Sequence, residues 1–381
     1  MAWDTIQGHD QNVEIFRRAL IRNRLASTFL FAGPPGIGKK LFAQKLAQTL
    51  LCGVNPPEKM TPCGTCNDCR LALTGSHPDI HYIQKPEDRA FIPLELLTGS
   101  KENRQSGLCA EISMTPFHGK RKIAIIDDAD YLNLEGANAL LKTLEEPPEN
   151  AVIILIGTSV SRQLPTIRSR CQIIRFSPLP PDILEELFLK KLAEESPLKG
   201  AAKEKKQALL PQQISEIIHS ADGSLHKALE MADPVFWEFR KSFLEQLAEK
   251  DVDRFILAAE IEKLLNAGSK KVPALQRNRI RLIMECTANF YARLARFLSG
   301  STTFSDFPET QNSEALHSQK KLMEKAAKNW NHGPEMAAVA ATRTLDKIEL
   351  LQRNVHQQTL LEAWLDELIL IREDGFCKFP E

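Results

Sequence analysis

The stretch FLFAGPPGIGKKLFAQKLAQTLL, residues 29–51, constrains the chain more than any other. FLFA reads as a buried strand that runs straight into GPPGIGKK. Phe42, Leu46 and Leu50 then recur at fourfold spacing, the mark of a helix with one buried face. Between strand and helix lie Gly33, Pro34, Pro35, Gly36, Ile37, Gly38, Lys39 and Lys40. Glycines let backbone N–H groups face phosphate oxygens, Lys39 adds a cation, and the helix directs its positive end at the anion. The pattern G-x-x-x-x-G-K in this context predicts a nucleotide phosphate loop; the alternative is a tight turn whose glycines serve only the backbone. One position breaks the pattern. A hydroxyl that would ligate Mg²⁺ belongs after Lys39, and Lys40 stands there with an ammonium that has no lone pair for a metal.

IHYI (80–83), IAII (123–126), VIILI (152–156) and IIRF (173–176) read as further buried strands. Continuous apolar runs separated by helices predict an α/β domain with a parallel sheet covered on both faces. IAIIDDAD at 123–130 ends a strand on Asp127, a carboxylate placed to hold the Mg²⁺ of a nucleotide through water. Asp128 follows where an ATP-hydrolysing site carries the longer glutamate that activates water; a solvent-facing turn is the alternative. A second helix is expected after Asn133 as N-cap, with Leu134, Ala137, Leu141 and Leu144 on one face, ending at Pro147 and Pro148.

Cys52, Cys63, Cys66 and Cys69 are spaced C-x10-C-x2-C-x2-C, so their thiolates can converge on one tetrahedral ion. Four sulfurs leave no open position, which predicts structural Zn²⁺; four reduced thiols without metal are the alternative. His77 nearby reads as a turn residue, and Cys109, Cys171, Cys286 and Cys377 show no grouping.

A chain of 381 residues predicts two or three domains. Lys plus Arg equal Asp plus Glu at 49 each, which excludes a wholly basic nucleic-acid-wrapping surface and leaves room only for a local patch. Arg17, Arg18, Arg22 and Arg24 form one such cluster, equally readable as a solvated face. No signal segment or membrane-spanning run is evident, so a cytoplasmic location without membrane contact is expected. SPLPPD at 177–182 marks a break, beyond which the chain reads as wholly helical. GAAKEKKQ (200–207) and 299–319 read as polar connecting segments. Ile280, Met284, Thr287, Tyr291 and Leu294 step along one helix face, as do Leu345, Ile348 and Leu351, then Leu360, Leu361, Trp364 and Leu368.

The order of glycine loop, cysteine quartet, SHPDI (76–80), IAIIDDAD, ANALLKTLEEPPENAVIILIGTS (137–159) and LPTIRSRCQ (164–172) resembles the bacterial clamp-loader ATPase family of the AAA+ class. The resemblance is dense over 3–177 and thinner beyond, where GSLHKAL (223–229) and NVHQQTLLEAWL (354–365) look like the family's lid and collar segments. It implies an AAA+ phosphate-loop domain at 1–177 with a zinc module at 52–69, a helical lid at 178–235, and an all-α collar at 236–381.

It further implies a hetero-pentameric ring with delta and gamma or tau subunits that opens a sliding clamp and places it on primer-template DNA. Arg170, in the triplet Ser-Arg-Cys, matches the family's trans-acting arginine, and Thr158 its γ-phosphate sensor; a local ion pair and a bland strand end are the alternatives. His226 stands where active relatives carry arginine. Lys40, Asp128 and His226 together favour the ring's non-hydrolysing stator, with ATP and Mg²⁺ binding in doubt. The runner-up is an ATP-hydrolysing gamma- or tau-like motor subunit, and a third reading is an unrelated AAA+ helicase or remodelling factor.

Overall fold

The computed structural model of the protein describes residues 3, 6–86, 89–100, 103, 106–118, 120–194, 210–267, 273–300, 313–351 and 355–374. The chain divides into two compact units, Met1–Lys191 with Asp222–Lys227, and Leu192–Ala221 with Ala228–Glu381. Segment 200–207 lies outside the described residues.

Among the described residues the apolar runs of the first unit form five strands, β1 (Thr28–Ala32), β2 (Ile80–Ile83), β3 (Lys122–Ile126), β4 (Ala151–Gly157) and β5 (Gln172–Arg175). They pair in the order β2-β3-β4-β1-β5, every neighbour parallel. Every residue of β1, β3 and β4 is buried, as expected for inner strands covered on both faces. Because side chains alternate, each strand feeds two cores. Phe29, Phe31, Ile123, Ile125, Val152 and Ile154 join one, while Leu30, Ala124, Ile126, Ile153 and Leu155 join the other.

The described α-helices in this part of the chain are α1 (Asp10–Ile21), α2 (Lys39–Leu51), α3 (Asn67–Thr74), α4 (Leu94–Thr98), α5 (Leu108–Ser113), α6 (Leu134–Glu145), α7 (Pro165–Arg168) and α8 (Pro181–Glu194). Phe16 of α1 and Phe42 of α2 pack with Phe29 and Phe31, ring centroids 5.0–5.9 Å apart. Fully burying one such side chain is worth about 1.5–3 kcal/mol. This aromatic cluster anchors α2, and with it the glycine loop, to the sheet.

The expected N-cap of α6 is present: Asn133 Oδ1 accepts from the Gly136 N–H at 2.8 Å. Its buried face differs from the sequence expectation. Gly136, Ala137, Leu140 and Leu144 point inward, whereas Leu134 is 66% exposed and Leu141 only partly covered. Leu134 is the first helical residue, at the start of the turn where α6 leaves its cap, so apolar content there does not place it on the inner face.

The second unit is helical, with no strand among the described residues after β5. Its helices are α9 (Pro211–Ser220), α10 (Leu225–Met231, entered from the first unit), α11 (Pro234–Leu247), α12 (Arg254–Asn266), α13 (Pro273–Leu298), α14 (Ser313–Asn329), α15 (Pro334–Leu351) and α16 (Gln357–Asp374). Ile280, Met284, Thr287, Tyr291 and Leu294 of α13 are all buried, as their spacing predicts. α13 packs chiefly on α15, whose Ala337, Ala340 and Ala341 keep that surface small. Trp364 of α16 is buried and donates from Nε1 to Thr344 Oγ1 at 3.1 Å.

Two expectations fail here. Leu345 is 52% exposed, because α15 turns its alanine face inward and Leu345 falls beside it. The polar segment expected over 299–319 ends early, since α14 begins at Ser313, its buried stripe carried by the later Met323 and Ala326. No described helix is long and apolar enough to cross a membrane.

Candidate functional site

The site is assembled at the carboxyl ends of three strands. β1 delivers the glycine loop, β3 delivers Asp127 and Asp128, and β4 delivers Thr158. Parallel pairing of β3 with β4 and of β4 with β1 brings these ends side by side. Gly36 and Gly38 have φ of 74° and 98°, a left-handed conformation open chiefly to glycine, and α2 begins at Lys39. His9 donates from Nε2 to the Ile37 carbonyl at 2.7 Å and stacks edge-on against Phe176, fixing the loop from behind.

Segment 222–227 covers the loop from its other side. The His226 N–H donates to Gly36 O at 3.4 Å, and a Cβ added at Gly36 would meet Ser224 Oγ at 2.3 Å and His226 Cβ at 2.7 Å. The GSLHKAL motif and the glycine loop, nearly 190 residues apart in sequence, are thus neighbours.

The two lysines face different ways. Lys39 is buried at 6% exposure, and its Nζ donates to the carbonyls of Gly33, at 2.6 Å, and Pro34, inside the loop's own curl. Burial pulls its ammonium down to about 8, against the opposing pull of Asp127, Asp130 and Asp128. Lys40 crosses to β3. Its Nζ lies 3.2 Å from Asp127 Oδ2 and donates to Gln84 Oε1 at 2.7 Å.

Asp128 has a left-handed φ of 57°, unusual for a side chain other than glycine. Burial, and then the neighbouring Asp127 charge, hold its carboxyl above the ordinary aspartate range. Asp127 also accepts from the Asp128 N–H at 3.0 Å. Thr158 donates from its backbone to Asp130 Oδ2 at 2.7 Å, while Thr158 Oγ1 is buried without a hydrogen-bond partner. Asp130 also accepts from Gln163 Nε2. Asp130 and Gln163, which orient the strand end carrying Thr158, were not singled out in the sequence; the IAIIDDAD motif contains Asp130 but says nothing of its partner.

These donors do not fit a magnesium ion. Mg²⁺ demands a near-octahedral set of oxygens at about 2.0–2.1 Å, and the position after Lys39 offers an ammonium that is already paired with Asp127.

Arg170 lies elsewhere. It precedes β5, and its carbonyl accepts from Thr28 Oγ1 at the first residue of β1, so it sits at the opposite end of the sheet from the loop. The five residues of β1 separate the two ends by about 16 Å. Arg170 Nε donates to Glu145 Oε1 at 2.6 Å, its second guanidinium nitrogen joins the same oxygen, and the third donates to Thr166 O at 3.0 Å. Glu145, the last residue of α6, is 25 residues away in sequence and carried no signal as a partner. Arg17 and Arg18 of α1 both pair with Glu14 at 2.7 Å, which neutralises part of that basic cluster.

The cysteines converge as their spacing predicts. Sγ atoms of Cys52, Cys63, Cys66 and Cys69 all lie within 4.8 Å of one another, with Cys63 and Cys69 3.9 Å apart. Tetrahedral ligation at the Zn–S length of about 2.3 Å sets sulfurs roughly 3.8 Å apart, so the set fits a metal ion. Cys52 Sγ accepts from the Asn55 and Cys63 N–H groups, Cys63 Sγ from Cys66, and Cys66 Sγ from Cys69, at 3.3–3.4 Å. Such bonds pre-orient the ligands. His77 is buried beside Asp68, at 3.5 Å, and its Nδ1 accepts from the Asp79 N–H. Asp79 is fully buried and ties this turn to the Phe117 and His118 N–H groups at 2.6 and 2.9 Å.

A parallel sheet bearing a glycine-rich loop, an acidic strand end and a polar strand end side by side has the arrangement of a phosphate-loop α/β domain. Residues 8–180 match the family model described as DNA polymerase III, delta subunit. Two relatives are DNA polymerase III subunit delta′ of Pseudomonas aeruginosa, 38% identical over 42% of this chain and 45% of that protein, and of Bacillus subtilis, 33% identical over 46% and 50%. DNA polymerase III subunit tau of Escherichia coli is 28% identical over 60% of this chain and 32% of its own length. The chain thus spans about half or less of the relatives it matches. A gamma subunit-related protein of Thermotoga maritima covers 90% of this chain and 98% of its own, at 19% identity and a TM-score of 0.37. Over residues 8–180 the chain is similar to delta′ and tau subunits of DNA polymerase III.

Proposed function

We propose that this chain is the delta′, or stator, subunit of a bacterial DNA polymerase III clamp loader, acting in the cytoplasm at the replisome. In this reading residues 1–177 form the AAA+ domain, 178–235 the lid, and 236–381 a collar that joins delta and gamma or tau subunits in a hetero-pentamer. The ring opens a sliding clamp and closes it on primer-template DNA. The cysteine quartet holds structural Zn²⁺.

The observation that carries the reading is the Lys40 ammonium on Asp127, which joins two parts of a hydrolytic site to each other. Asp128, short and held above its ordinary range, is a weak replacement for a water-activating glutamate. The chain's own ATP hydrolysis is lost, and its catalytic contribution is Arg170, offered to the nucleotide of a neighbouring subunit. The separation of Arg170 from its own loop supports action in trans, and the half-exposed Glu145 pair is weak enough to exchange for a phosphate. A gamma- or tau-like motor is the second reading, favoured by the longer stretch shared with the tau subunit.

The test is Arg170→Ala in the assembled complex. Single-turnover hydrolysis at the neighbouring site falls by about a thousandfold or more, while assembly, followed by gel filtration, is retained. An unchanged rate overturns the role given to Arg170, and steady turnover of ATP by the isolated chain overturns the stator reading.

A further inference from the structure

The poor fit of this site to Mg²⁺ has a positive side. Lys40 does more than remove a metal ligand, because its ammonium sits 3.2 Å from the carboxylate that would face the metal and 2.7 Å from Gln84 Oε1. An ammonium has three N–H donors, so two are spent on these oxygens and the third is left for an acceptor in front of the loop. Around that point stand the left-handed glycines of the loop, the N-terminus of α2, the Lys39 ammonium, and the unpartnered Thr158 hydroxyl. Each of these groups offers a proton or positive potential, opposed by the Asp128 and Asp130 carboxylates that also act on Lys39. Lys39, now folded onto the Gly33 and Pro34 carbonyls, trades those oxygens for a phosphate oxygen with no change of charge.

We infer that Lys40 is an internal replacement for the divalent cation, so that the loop takes a chain of phosphates free of magnesium. The ligand class is a metal-free polyphosphate, supplied by a nucleoside triphosphate or by an inorganic polyphosphate. A magnesium complex of the same anion is disfavoured, since it carries a second cation toward Lys40 with Asp127 already engaged. This inference rests on the reading of the loop as an inherited site whose hydrolysis is lost.

The experiment is calorimetric titration of the full chain with ATP and, separately, with inorganic tripolyphosphate, each in EDTA and in excess Mg²⁺, with phosphate release followed in parallel. The expected result is binding in EDTA at least tenfold tighter than in Mg²⁺, and no turnover. Lys39→Ala abolishes binding in both conditions. Lys40→Thr reverses the preference, so that the magnesium complex becomes the tighter ligand. If tripolyphosphate matches ATP, the phosphates alone are recognised; if ATP is the tighter, the base adds to the same site.

Equal affinity in EDTA and Mg²⁺, tighter binding of the magnesium complex by the natural chain, or no binding in either condition overturns the inference. Turnover separates the two readings. Preference for Mg·ATP without hydrolysis sinks the internal cation alone, whereas hydrolysis sinks the inherited, inactive site as well. Lys40→Met covers the case in which the threonine variant does not fold: it removes the ammonium without restoring a metal ligand, and the EDTA preference disappears if Lys40 is its source.

Discussion

Replacing Gly36 with alanine should destabilise the first unit by about 2–5 kcal/mol. Two contributions add. Gly36 has φ of 74°, where an L-residue is strained by about 1–2 kcal/mol. The new methyl would stand 2.3 Å from Ser224 Oγ and 2.7 Å from His226 Cβ, and relieving such overpacking costs about 1–3 kcal/mol. Ser224 can rotate its hydroxyl away, but the Cβ of His226 moves only with its backbone, which is itself bonded to the Gly36 carbonyl. Gly36→Ala combined with Ser224→Ala therefore recovers only part of the loss. Because the chain has two units, a single unfolding midpoint is a poor readout, and hydrogen exchange by peptide is the better assay. Amides of β1 and α2 that exchange through opening of the unit should speed up roughly 30-fold to several-thousandfold, each tenfold being about 1.4 kcal/mol. Amides of α13 and α15 should not change. A cost under about 1 kcal/mol, or faster exchange in the second unit alone, would refute the packing of segment 222–227 on the loop.

Lys39 makes stability depend on alkaline pH. Its folded-state value of about 8 lies below the ordinary 10.5, so between these values the unfolded chain holds a proton that the folded chain has released, and folding is favoured as pH rises. Relative to Lys39→Met, the natural chain should gain up to about 3 kcal/mol from pH 7.5 to 10.5, measured by urea unfolding of the first unit; a flat or falling difference contradicts the burial argument. For the cysteine quartet, native mass spectrometry should find one zinc per chain in the natural protein and little in Cys66→Ser. Chelation should then raise hydrogen exchange in 52–74 while sparing β3 and β4. Full metal occupancy in Cys66→Ser would argue against a four-sulfur site.

The strands were legible because each inner strand is an unbroken apolar run, as a parallel sheet covered on both faces requires. Helix faces were less so. Leu134 and Leu345 have the right chemistry and nearly the right phase, yet Leu134 is the first residue of its helix and Leu345 falls beside the alanine face that α15 turns inward. Cys63, Cys66 and Cys69 were legible from spacing, since ligands separated by two residues need no tertiary information to converge, whereas Cys52 joins them from the end of α2. What sequence withheld was side-chain direction. GPPGIGKK shows that a metal ligand is missing at Lys40, but only the fold brings Asp127 and Gln84 within its reach. Glu145 and Arg170, on separate elements 25 residues apart, meet only because α6 ends beside the start of β5.

The placement of the loop after β1 and of Arg170 before β5 gives the first unit a polarity. The loop and Arg170 lie at opposite ends of the sheet, so subunits that joined through them, as proposed, would do so front to back, as cars in a train rather than as mirror-paired halves. In the reading proposed above, such a car couples through Arg170 on one side while Lys40 spares its own loop the metal, which would suit it to stand last in the row.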